Sequence, residues 1–109
     1  MGLFGKKKAA DKTKADRELI EDNSKAVEVL VVLAKSNESL IATLRELQEK
    51  LKYLIPSDDS KIMDADKAIK NKIDDLRIEL NKSDGDDSKK ITNLITDIQC
   101  RIADRNAKL

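Results

Sequence analysis

The stretch Leu19–Leu54, LIEDNSKAVEVLVVLAKSNESLIATLRELQEKLKYL, repeats its apolar residues at alternating spacings of four and three. Leu19, Ala26, Leu33, Leu40, Leu47 and Leu54 form one row; Asn23, Leu30, Asn37, Leu44 and Leu51 form the other. A seven-residue repeat keeps one face of a helix apolar and marks the seam along which helices pack. Downstream, Pro56 disfavours helix at Ile55. Upstream, Asp16 is a candidate N-cap. These limits predict one helix over about 16–55, roughly 60 Å long at 1.5 Å per residue. Ser36-Asn37-Glu38-Ser39 is rich in capping residues and could start a new helix, but the repeat crosses it with no Gly or Pro to reverse the chain. The straight helix is therefore the expectation.

Working outward, Pro56-Ser57-Asp58-Asp59-Ser60 reads as a turn and N-cap, with acidic residues suited to the positive end of a helix dipole. A second helix follows over about 60–82, with Ile62, Ile69, Ile73, Leu76 and Leu80 on its stripe and Asp66 interrupting it. Ser83-Asp84-Gly85-Asp86-Asp87 is a second turn. A third helix over about 88–107 carries Ile91, Leu94, Ile95, Ile98 and Ile102, a stripe that fades through Arg105. The predicted fold class is all-α: a three-helix bundle of one long helix and two shorter antiparallel helices, packed like a coiled coil. Residues 16–109 would form a single domain, and residues 1–15 a flexible basic N-terminal tail.

Helices of 23 and 20 residues span only about half the length of a 40-residue helix. Packed on its C-terminal half, they would leave the N-terminal half protruding. Yet Ala26-Val27-Glu28-Val29-Leu30-Val31-Val32-Leu33-Ala34 has eight apolar residues of nine, spread around the helix. A helix apolar on all sides needs cover on all sides. The expectation is a two-fold homodimer with Val27, Val29, Leu30, Val31, Val32 and Leu33 at the contact.

Composition narrows function mainly by exclusion. Charged residues are 39% of the 109-residue chain and aromatics 2%, as suits a helix bundle and not a β architecture. There is no histidine, so the commonest general base and metal ligand is missing. No glycine-rich phosphate loop or cysteine cluster is present. The acidic turns lack the ligand order of a calcium loop and read as helix caps. Cys100 is the single cysteine and makes no intramolecular disulfide, which suggests a reducing cytoplasm. No enzyme, metal or cofactor is expected. Asn23 and Asn37, at seam positions, either pair across a coiled-coil interface or reach water at the bundle edge. Asp66 is expected near the open end of the bundle with Ala65 turned inward, and Tyr53 over the corner between the first two helices.

The net charge of +1 is uneven: residues 1–17 hold six Lys or Arg against two Asp, +4, and the rest carries −3. Leu3 and Phe4 form a small apolar plug followed by Lys6, Lys7, Lys8, Lys12 and Lys14. Lysines attract anionic lipid at about 1 kcal/mol each. Weak contact with an anionic membrane surface is thus one reading of the tail, and a solubilising start is the other. Nucleic acid is not expected as the main partner, because the bundle has no basic face. The leading functional expectation is a self-associating, non-enzymatic helical module for protein–protein interaction or scaffolding, its partner protein unknown. The alternative is a peripheral membrane adaptor tethered by the tail.

Overall fold

The computed structural model describes the backbone of residues 2–35, 37–82 and 88–109, and the side chains of residues 11–35, 37–82 and 89–109. Among these residues the chain is all-helical, in four helices: α1 Gly2–Leu33, α2 Glu38–Lys52, α3 Ser60–Lys82 and α4 Ser88–Ala107. The later pair matches the sequence expectation. The earlier pair corrects it, because the predicted straight helix over 16–55 is folded back on itself between Leu33 and Glu38, giving four helices instead of three.

The break has a defined local geometry. Lys35 takes a left-handed conformation, φ 54°, and its N–H donates to the Val32 carbonyl at 3.2 Å. Asn37 leaves the helical region, φ −80° and ψ 90°, and its side-chain oxygen accepts the Leu40 N–H at 3.1 Å. This is an N-cap: it satisfies one of the donors that the start of a helix leaves free. Asn37 thus caps a helix and is exposed, not a seam residue.

Each helix is turned so that a four-three row of residues is buried. On α1 the row is Asp16, Ile20, Asn23, Val27, Leu30 and Ala34 just past its end; on α2 it is Leu44, Leu47 and Leu51, continued by Leu54. On α3 it is Ile62, Asp66, Ile69, Ile73, Leu76 and Leu80, and on α4 Ile91, Ile95, Ile98, Ile102 and Arg105. Short turns make successive helices antiparallel, an up-down-up-down bundle. Three of its seams are closed, α1 on α2, α1 on α3 and α3 on α4, whereas α2 and α4 meet only narrowly.

The fold-back removes the reason for expecting a protruding apolar half. Val27 and Leu30 are fully buried within the chain, and Val31 and Leu33 pack half-buried against the core. Only Val29 and Val32 stay open, at 47% and 74% exposure. What does protrude is the N-terminal part of α1. The backbone is helical from Gly2, where the sequence suggests an irregular tail. Asp16 lies inside this helix and does not cap it. Because Asp16 bonds to the α2–α3 connection, residues 2–15 extend past that end of the bundle and stretch the molecule to 57 × 22 × 20 Å.

At the α2–α3 connection the acidic residues serve as caps, as expected: the Asp59 carboxylate accepts the Lys61 N–H at 2.9 Å, and its carbonyl takes Ile62 and Met63. The second acidic turn, 83–87, lies outside the described residues. Tyr53 does not cover a corner. It is 71% exposed at the C-cap of α2, with Lys52 Nζ 5.9 Å from its ring centre.

Candidate functional site

Two features stand out, at opposite ends of the bundle. The first is a buried charge cluster by the α2–α3 connection, where the core rows of α1, α3 and α4 each place a polar residue. Arg105 Nε donates to Asp66 Oδ1 at 2.6 Å, and Nη2 to Asp66 Oδ2 at 3.3 Å, a two-pronged pair. The same Nη2 reaches Asp16 Oδ2 at 3.3 Å and the Ile55 carbonyl at 2.7 Å. Asp16 Oδ2 also accepts the Ser57 N–H at 2.8 Å. All three side chains are fully buried. Asn23 supports them from two turns further along α1, its Nδ2 donating to the Asp66 carbonyl at 3.2 Å. Its partner is therefore within the chain. The expectation that Asp66 sits near open solvent is overturned, because a guanidinium is brought to it by α4 and lets its charge be buried.

Two carboxylates and one guanidinium sum to −1, so the cluster becomes neutral when it holds one proton. Burial, followed by the neighbouring Asp16 carboxylate, pushes Asp66 up from 3.8 to about 7, outweighing the opposing pull of Arg105. Asp16 Oδ1, Asn23 Oδ1 and Arg105 Nη1 have no protein partner.

The second feature is the open seam. Between α2 and α4 lies a groove of about 750 Å³. Its apolar lining is Leu33, Leu40, Leu80, Ile91 and Ile95, and its polar lining includes Ser39, Thr43, Thr92, Thr96 and Gln99. Ala34, Lys35 and Asn37 of the α1–α2 turn line one part of it, and among the described lining residues Lys35 alone is charged. The opposite seam of α4 is stapled by charge, with Lys90 to Glu79 at 3.3 Å and Lys72 to Asp97 at 3.4 Å. Among the described residues no ion pair joins α2 to α4.

None of the cluster residues lines the groove, so the charge-bearing chemistry and the open surface are separate. Among the described residues no group of His, Cys, Asp or Glu could hold a metal ion, and no helix is long and apolar enough to cross a membrane. Cys100 is exposed and unpaired with another cysteine. Of the residues named from sequence as an oligomer contact, Val29 and Val32 are on the surface, and Leu33 borders the groove. Lys12 and Lys14 are exposed on the projecting part of α1; the side chains of Leu3, Phe4, Lys6, Lys7 and Lys8 lie outside those described. The groove itself is missed by sequence reading, since it depends on α2 and α4 being separate neighbours. Comparison with known protein families, with curated proteins and with solved structures finds no match to this chain.

Proposed function

We propose that the chain is a non-enzymatic, self-associating helical module whose work is protein–protein interaction or scaffolding. The observation that carries this reading is the open α2–α4 seam, an apolar-floored groove in a bundle whose other seams are closed. Apolar surface left by an incomplete bundle is a contact surface or an aggregation risk. A second copy suits it on charge: among the described residues the groove lining has no carboxylate and one lysine, so these residues of two copies bring little like charge together. Catalysis is not part of the proposal, because the buried acids face away from the groove.

The test is solution mass by light scattering coupled to size exclusion. A mass of two chains that dissociates on dilution is expected. Replacing Thr43 and Thr96 with arginine, which crowds the groove from α2 and α4, is expected to raise the dissociation constant about tenfold, equivalent to about 1.4 kcal/mol. A one-chain mass at every concentration refutes self-association.

A second reading, a peripheral adaptor at an anionic membrane, is favoured by one observation: α1 runs past the bundle and carries the lysine-rich segment outward. Cosedimentation with anionic vesicles is expected to fall at high salt and to vanish when residues 1–15 are removed. Binding that survives that removal excludes the tail mechanism.

A further inference from the structure

We infer that this chain dimerises by exchanging α1: the α1–α2 turn straightens, α1 and α2 join into one long helix, and α1 packs in the bundle of a second copy. The inference rests on the self-association proposed above and adds an exchanged α1 seam to the groove contact.

Three observations converge on the turn. First, it is held by a residue poorly suited to it. Lys35 stands at φ 54°, a conformation that glycine adopts freely and side chains with a Cβ resist. Neither Gly nor Pro lies between Leu33 and Lys52 to enforce the reversal. Second, one of the two buried rows keeps its seven-residue spacing through it, while the other shifts by one residue. Asn23, Leu30, Leu44 and Leu51 are all buried and spaced in multiples of seven, so their faces stay aligned if the turn becomes helix. Only Asn37 interrupts that row, and its present role is to cap α2. Third, the turn lies beside the uncovered surface. Val32, at 74% exposure, is one turn from it, and Leu33, Ala34 and Lys35 line the groove.

Straightening would add helical hydrogen bonds and release Lys35 from the left-handed region, at the cost of the α2 cap. The α1 seam is then rebuilt against the partner's α2 and α3, so the contacts within each bundle are conserved. Such exchange through a strained hinge is a low-cost route to a symmetric dimer. It also gives Val27 and Leu30 a place at an interchain contact although they are buried within each bundle.

The hinge makes opposite predictions for two substitutions. Lys35→Gly relaxes the turn and weakens the straight helix in both chains, and is expected to raise the dissociation constant about a hundredfold. Asn37→Leu removes the cap and completes the apolar row, and is expected to lower it about tenfold.

The deciding measurement is an intrachain distance. Glu21 and Lys50 are exposed, on α1 and α2. With Cys100→Ser as background, spin labels are attached through Glu21→Cys and Lys50→Cys. Labelled chains are diluted with excess unlabelled chains, unfolded, and refolded together up to millimolar concentration. In the folded-back chain the labels lie within about 25 Å, given an interaxial distance of 8–10 Å between packed helices. In a straight helix they lie about 44 Å apart, 29 residues at 1.5 Å. The expected result is the long distance in the two-chain fraction and the short one in the one-chain fraction. A two-chain fraction with only the short distance overturns the exchange and leaves self-association standing. A single-chain mass throughout overturns both.

Discussion

Replacing Arg105 with leucine is expected to destabilise the fold by about 3–5 kcal/mol, read as a lower midpoint in urea denaturation followed by circular dichroism. The loss follows from what stays behind. Arg105 donates to Asp66, Asp16 and the Ile55 carbonyl, and without it two fully buried carboxylates face each other with no cation. Against the 5–15 kcal/mol that holds typical domains together, such a loss leaves little. The pair itself need not stabilise relative to apolar side chains, since taking its charges out of water is also costly. Replacing Asp16, Asp66 and Arg105 together with leucine should therefore recover most of the deficit. A triple variant as unstable as Arg105→Leu alone would show that the cluster acts through shape or backbone contacts such as Ser57 to Asp16, and not through charge.

The second large effect is a stability that falls as pH rises. Asp66 is held up at about 7, against 3.8 for an ordinary aspartate. Between those values the folded chain binds a proton at Asp66 that the unfolded chain has released. Stability contributed by that proton is fully present below about pH 4, declines as pH rises, and is gone above about pH 7. The shift corresponds to a ceiling on the order of 4 kcal/mol. Thermal melts from pH 4.5 to 8.5 should show the midpoint dropping across the interval. Asp66→Asn mimics the protonated side chain and should flatten the profile, being more stable than the parent at pH 8. A parent midpoint that rises from pH 5 to 8 would mean that Asp66 is ionised in the fold, with Arg105 dominating its surroundings.

The two later helices were readable because punctuation surrounds them: Pro56 and the Ser and Asp residues after it stop one helix and start the next, and an Asp-Gly pair in the sequence precedes Ser88. The α1–α2 break was not, for a reason visible in adjacent residues. Leu19 with Ile20, Ala26 with Val27, and Leu33 with Ala34 are neighbouring apolar pairs. A repeat read through Leu19, Ala26 and Leu33 continues into Leu40 without interruption, yet α1 buries Ile20, Val27 and Ala34 most deeply. The slip of one residue between α1 and α2 is silent when both members of each pair are apolar. The capping signal at Asn37 was present, but a local cap competes with a long-range repeat, and the fold-back wins through tertiary packing.

The charge cluster was half legible. Asp66 on an otherwise apolar stripe, and Arg105 at the next core position after Ile102, each stand out. Read separately, one looks like an interruption and the other like a helix losing its stripe. Only when α1, α3 and α4 are brought together does a base meet two acids. The groove had no sequence signature, because its lining comes from turns and helix edges more than 40 positions apart, such as Leu40 and Ile91.

The bond between Arg105 and Asp16 spans 89 positions. A ribosome adds about 5–20 residues per second and releases the N-terminal part of a chain first. During synthesis Asp16 and Asp66 emerge well before the arginine that compensates them. The nascent α1–α3 segment can collapse around its apolar residues but must keep those carboxylates wet or protonated. Its final packing therefore waits on a side chain made 89 positions after Asp16, and a product cut short before residue 105 would carry an uncompensated acidic pair in its core.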